Sequence, residues 1–145
     1  MIRDMNIRDI DRVMRIWLAG NLDAHPFIPG EYWQGQFAAV RELLPRAEVI
    51  VYEEGGDILA FAGMQEGYLA GIFVDAAQRS RGIGAQLLSE FKRRHARMTL
   101  SVYRNNRRAV DFYIRNGFSI THAGMDADTG AGELTLAWAS GAASG

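Results

Sequence analysis

Apolar residues recur along this chain with two different periods, and the changes of period divide it into elements. Residues 1–5 have the length of a short strand. From Ile10 the apolar positions Val13, Met14, Trp17 and Leu18 follow at helical spacing, with Asn6 or Asp9 available as a cap and the pattern fading over residues 21–25. Pro26 and Pro29 bound a loop. Tyr32, Phe37, Val40, Leu43 and Leu44 predict a second helix over residues 31–44, stopped by Pro45. Residues 48–53 and 58–64 predict strands joined through Glu54, Gly55, Gly56 and Asp57, where glycine supplies the positive φ of a tight hairpin. A third apolar run, 68–74, gives way to a polar loop over 75–84 and then to a helix carrying Ile83, Leu87, Leu88 and Phe91 on one face. Residues 98–102 predict a strand, and 107–116 a helix ended by Gly117. The last strands, 118–123 and 133–138, flank the turn-rich segment 124–132.

The order is strand, two helices, three strands, helix, strand, helix, two strands. Antiparallel strands followed by strand-helix-strand units predict an α/β fold built on a mixed sheet with helices on both faces. The 145 residues suit one domain, expected over 1–139, with 140–145 as a mobile tail.

Composition narrows the chemistry. The chain is 48% hydrophobic and 23% charged, soluble-globular proportions unlike those of disordered, collagen-like or coiled-coil chains. The absence of cysteine excludes disulfides, thiolate metal sites and a cysteine nucleophile. Three scattered histidines predict no metal site. Arg3, Asp4, Arg8, Asp9, Asp11 and Arg12 stand where a signal peptide would need an apolar run, and no apolar stretch approaches about 18 residues. A cytoplasmic location without membrane association is expected.

The net charge of −1 hides an asymmetry. From Arg79 to Arg108 nine basic residues face a single acid, Glu90, so that segment carries +8 and the remainder −9. Within it, Arg79-Ser80-Arg81-Gly82-Ile83-Gly84 joins a predicted strand to a predicted helix. A helix N-terminus has unpaired amide donors and partial positive charge, and glycine lets the backbone close on a phosphate or pyrophosphate; the same glycines would also serve a plain tight turn. Neither the G-x-G-x-x-G dinucleotide fingerprint nor a P-loop is present. A second motif runs from Asn106 through Phe118. On a helix, Ala109, Phe112, Tyr113 and Asn116 share one face, which can receive a slender ligand or form an ordinary core stripe capped by Asn105 or Asn106 and by Gly117.

Together these motifs resemble the GNAT superfamily of N-acetyltransferases, in its small stand-alone bacterial form. The family's coenzyme A loop, Q/R-x-x-G-x-G/A, is matched by Arg79, Gly82 and Gly84. Its later helix, N-x-x-A-x-x-F-Y-x-x-x-G-F, is matched by Asn106, Ala109, Phe112, Tyr113, Gly117 and Phe118. The resemblance implies a mostly antiparallel sheet with a V-shaped split between the fourth and fifth strands, and acetyl-CoA as acyl donor. It implies that backbone amides of Arg79, Ser80, Arg81, Gly82, Ile83, Gly84 and Ala85 hold the pyrophosphate, with Arg79 and Arg81 side chains as further partners. Ile72, Phe73 and Val74 would pair with the pantetheine amides, and an N–H near Phe73 or Val74 would polarise the acetyl carbonyl. Asn106 would contact the pantetheine arm or the helix end, Ala109 and Phe112 would line the thioester channel, and Tyr113 would be the general acid to the thiolate.

The base and the acceptor are less fully specified. The run 68–74 has no acid, and Glu66 lies just before it, so deprotonation is expected through water or through His25 in the loop between the first two helices. Phe27, Tyr32, Trp33 and Tyr68 are candidates for an aromatic acceptor pocket, with Asp126 or Asp128 attracting a cationic amine. The expected acceptor is a primary amine of a small molecule, peptide or protein. Three other readings stand beside this one: a coenzyme A-binding sensor with little activity, a nucleic-acid binder using the basic segment, and a plain solvated helix end for residues 92–97. The chain is expected to be a monomer or a homodimer, with the strand at 133–138 as an exposed edge that could pair with a copy.

Overall fold

The structure is a computed structural model and describes residues 1–141; positions 142–145 of the expected tail lie outside the described residues. The densest apolar run becomes an inner strand, β3 (Asp57–Gln65), which buries every residue from Ile58 to Met64, as a strand covered on both faces must. Around it β1 (Ile2–Asp4), β2 (Glu48–Glu54), β4 (Tyr68–Val74), β5 (Arg97–Tyr103), β6 (Ser119–Met125) and β7 (Gly132–Ala139) complete one sheet, ordered β1-β2-β3-β4-β5-β7-β6. All neighbours are antiparallel except β4 and β5.

Helices cover both faces. In α1 (Ile10–Ala24), Ile10, Val13, Met14 and Trp17 pack on Val49, Val51, Ile58 and Phe61, with Trp33 of α2 (Gly30–Leu43) added from outside. On the opposite face, Ile83, Leu87, Leu88 and Phe91 of α3 (Ile83–Arg94) and Val110 and Tyr113 of α4 (Arg107–Arg115) cover Ile50, Ala60, Ala62, Leu100 and Leu136.

The parallel pair is where the sheet opens. Only Tyr68 and Thr99 are in register between β4 and β5, supported by the Thr99 N–H donating to the Gly67 carbonyl at 3.0 Å. A bulge against β3 leaves Ala70 without an opposite residue and re-aims the strand. From there the two strands part, and Gly71, Ile72, Phe73 and Val74 remain only half-buried. This is the expected V-shaped split between the fourth and fifth strands.

At the start of the expected tail, the Ser140 N–H donates to the Ala96 carbonyl at 2.6 Å. Two expectations are corrected. The edge strands are β1 and β6, because β7 pairs with β5 along one side and β6 along the other; the chain's last strand inserts rather than adds. Residues 92–97 are more than a solvated helix end. Arg94 pairs with Asp4, Glu48 and Glu90 at 3.1, 3.0 and 2.8 Å. Lys92 lies 5.3 Å from the Trp138 ring centre and donates to the Asn116 carbonyl, tying α3 to the end of α4.

Candidate active site

The predicted phosphate loop starts at a clamp. Asp75 accepts from the Ala77 amide at 2.9 Å and from Arg12 at 2.7 Å, while Arg12 also donates to the Ile58 carbonyl at 3.0 Å. The Arg12 guanidinium, then the amide, hold the Asp75 carboxyl below the usual carboxylate range. Beyond the clamp, Ser80 and Gly82 have φ of 71° and 77°. Gly82 is the N-cap of α3 and no side chain caps that helix, so its first-turn amides are left for an anion. A Cβ on Gly82 would meet no heavy atom within 4 Å. Two residues on, a Cβ on Gly84 would lie 3.7 Å from both Ile72 and Phe112. Gly84 is therefore where the loop, β4 and α4 meet, and the two sequence motifs converge on the mouth of the wedge. An uncapped helix end, an open glycine and an unpaired strand segment fit a ligand with phosphates and an amide-bearing arm.

The loop arginines are engaged within the chain. Arg79 pairs with Asp23 at 2.7 Å, and Arg81 donates to Glu54 at 2.8 Å and Gln78 at 2.5 Å. The first-turn amides of α3, by contrast, have no side-chain cap.

In α4, the Asn106 side chain caps the helix, its oxygen accepting from the Ala109 amide at 3.3 Å while its Nδ2 lies 3.3 Å from His25 Nε2. Of the two expected roles for Asn106, the helix-end contact is present. Tyr113 is buried, its ring 5.3 Å from Phe112 and 5.4 Å from Phe118. Burial, then the neighbouring Tyr68, push its phenol well above the ordinary tyrosine value, so it carries its proton at neutral pH. Tyr68 lies at the narrow end of the wedge, opposite Thr99, and makes no ring contact with the other acceptor candidates. Its expected place in the aromatic pocket is corrected: strand register places it four residues along β5 from Tyr103.

The remaining acceptor candidates do assemble, around a residue the sequence reading passed over. Met98, Leu100 and Val102 face α3 and α4; Tyr103, one step out of that alternation, joins the α1–α2 face. That alternation was the signal available in the sequence. His25 lies 5.1 Å from the Tyr103 ring, Phe27 5.8 Å from it, and His25 stacks on Trp33 at 5.0 Å. Tyr32 meets Trp33 edge-on at 4.9 Å. The Tyr103 hydroxyl donates to Asp126, and that of Tyr32 to Asp128 at 3.4 Å. The bond from Tyr103 holds the Asp126 carboxyl low, while burial raises both phenols.

His25 is enclosed, with 9% of its surface exposed, and burial lowers its pKa. Its Nε2 faces the Asn106 donor and its Nδ1 is buried without a hydrogen-bond partner. With the lone pair of Nε2 turned to Asn106, the ring has no basic nitrogen open to a substrate. This departs from His25 as one of the two expected routes, beside water, for deprotonation; its contacts place it within the aromatic cluster. The indole N–H of Trp33 is likewise buried and unpartnered.

No helix among the described residues is long and apolar enough to cross a membrane. Residues 45–120 match the acetyltransferase (GNAT) domain family. The chain is 33% identical over 140 residues to the peptidyl-lysine N-acetyltransferase YiaC of Escherichia coli strain K12, covering 95% of this chain and 96% of the relative. The solution structure of apo YjaB from Escherichia coli aligns with a TM-score of 0.84 at 25% identity, covering 97% of each chain. The PaiA N-acetyltransferase of Thermoplasma acidophilum, solved in complex with coenzyme A, shares the fold at a TM-score of 0.78 and 16% identity, covering 96% of this chain and 98% of that one. A wedge between parallel strands that opens beside an uncapped glycine helix end, on a chain this similar to known acetyltransferases, places the protein in the GNAT family of acetyl-CoA-dependent N-acetyltransferases.

Proposed function

We propose that this enzyme acetylates the side-chain amine of a lysine in a peptide or protein, with Tyr113 protonating the coenzyme A sulfur as the thioester breaks. The observation that carries the acceptor assignment is the aromatic cluster of His25, Phe27, Tyr32, Trp33 and Tyr103, in which Phe27 and Tyr32 stay half-buried and the two tyrosines bond Asp126 and Asp128. Ring walls suit the four-carbon stem of lysine, and carboxylates suit its ammonium head. The peptidyl-lysine activity named for the YiaC relative supports the same class.

The first-turn amides of α3 would hold the pyrophosphate, and the unpaired edge of β4 would align the pantetheine arm, with an amide near Phe73 or Val74 polarising the acetyl carbonyl. The neutral amine attacks that carbon, so an N–C bond forms as the C–S bond breaks. Tyr113 gives its proton to sulfur and recovers one from the acylated nitrogen. Because a free thiol has a pKa of about 8.5, this assistance is worth about 10²-fold, at the low end for general acids.

The test is free-thiol release from acetyl-CoA with lysine peptides, peptides bearing only a free N-terminus, and small amines. Release is expected with lysine peptides, and mass spectrometry should find the acetyl group on Nζ. Tyr113→Phe should lower kcat about 10²-fold with the KM for acetyl-CoA unchanged; an unchanged kcat refutes the acid role.

A further inference from the structure

The proposed reaction needs a group that takes a proton from the incoming ammonium, and β4 offers no carboxylate. Candidates at the acceptor pocket differ in what already occupies them. The His25 ring is enclosed, with Nε2 turned to Asn106. Asp126 accepts from Tyr103 and from the Asp128 amide, and Asp128 from Tyr32. Glu133 is different. It stands directly opposite Tyr103 across β5 and β7, so its side chain leaves the sheet on the face that carries the aromatic pocket, with Cβ atoms about 5 Å apart. It is half-buried, yet among the described residues its carboxylate has no hydrogen bond and no ion pair.

We infer that Glu133 receives the acceptor's ammonium group at the pocket and takes its proton, delivering a neutral amine to the thioester. This rests on the acetyl-transfer reading above. In the step, an N–H bond of R–NH3⁺ breaks and an O–H bond forms on Glu133, which then releases the proton to solvent. The second proton lost by nitrogen, after the N–C bond has formed, balances the one that Tyr113 gives to sulfur.

The electrical surroundings suit a carboxylate that binds and releases a proton. From α2 it faces Tyr32, from β5 Tyr103, and from the β6–β7 turn Asp126. From the α1–α2 loop comes the neutral ring of His25, packed on Tyr103. From β6 it is paired with Gly124, beside which His122 lies. Arg104 packs on the adjacent Gly132 without forming an ion pair to Glu133. Burial, then Asp126, raise the Glu133 carboxyl above the usual range, towards the proton affinity a base needs. The Asp126 carboxylate near it also helps draw in a cation, which a lone base would not.

The test measures kcat/KM for a lysine peptide at saturating acetyl-CoA from about pH 7 to about pH 10, where a lysine amine approaches its own pKa, for wild type, Glu133→Gln and Glu133→Asp. Glu133→Gln should lose about 10²-fold at neutral pH and recover most of that loss at the alkaline end, where neutral amine is supplied by solution. Glu133→Asp should restore part of the neutral-pH rate, and acetyl-CoA affinity and Tm should stay at wild-type values in both. A Glu133→Gln rate equal to wild type at neutral pH, or a loss of the same size at every pH, would overturn the inference while leaving acetyl transfer intact. No thiol release by the wild type with any lysine peptide would overturn the acetyl-transfer reading, and this inference with it.

Discussion

Gly82→Ala separates the two reasons a glycine can stand at the head of α3. The backbone there is left-handed, with φ of 77°, and a Cβ would meet no atom within 4 Å. The folded protein therefore bears only the conformational cost of a left-handed alanine, roughly 1–2 kcal/mol. Gly56, in the β2–β3 hairpin, is a matched control: its φ is 82° and its Cβ would also meet nothing within 4 Å. Both variants should lower Tm by similar amounts, roughly 2–8 °C for a chain of this size. They should differ in ligand binding. At Gly82, the cap position of a helix end that no side chain caps, an added methyl should crowd a bound phosphate and cost one charge-assisted hydrogen bond, about 1.5–3 kcal/mol, or roughly 10–100-fold in Kd. Titration calorimetry with coenzyme A, beside thermal unfolding, reads both quantities. Equal Kd values for Gly82→Ala and wild type, or equal weakening by Gly56→Ala, would refute the cradle.

Two further outcomes follow from the packing. Because burial lowers the His25 pKa from its ordinary 6.5, the unfolded chain takes up a proton that the native state does not as pH falls below that value. Stability from this site is complete above about pH 6.5 and lost as pH drops towards the native pKa; His25→Phe should flatten that slope in urea unfolding at about pH 7 and pH 5, and an unaltered slope would exclude His25 as its source. At Gly71 a Cβ would fall 2.6 Å from the Phe73 ring, which is stacked on Phe61 at 5.0 Å and lies 3.1 Å from the Cβ position of Gly20. Gly71→Ala should therefore cost about 1–3 kcal/mol, whereas Gly63→Ala, whose Cβ would lie 3.8 Å from Val49, should cost far less; equal denaturation midpoints would show that the ring yields freely.

Much of this enzyme is written locally. Helical spacing from Ile10 to Trp17, the stops at Pro26 and Pro45, and the Gly55–Gly56 hairpin each depend on neighbours a few residues away, and the elements form where those signals stand. The glycine loop and the Asn106–Phe118 helix are local too, since a helix end and its amides are made by the segment itself. What only the tertiary structure decided depends on partners distant in the chain. Insertion of β7 between β5 and β6 moved the free edge off the last strand. Strand register held Tyr68 opposite Thr99 at the narrow end of the wedge, four residues along β5 from Tyr103 and the aromatic cluster. Ion pairs to Asp23, Glu54, Asp4 and Glu48 engaged Arg79, Arg81 and Arg94 of the basic segment. Strand pairing set Tyr103 beside His25 and Glu133 opposite Tyr103. Periodicity tells which way a side chain leaves its own backbone, but long-range pairing decides what stands in front of it, and the proposed acceptor site is made almost entirely of such pairings.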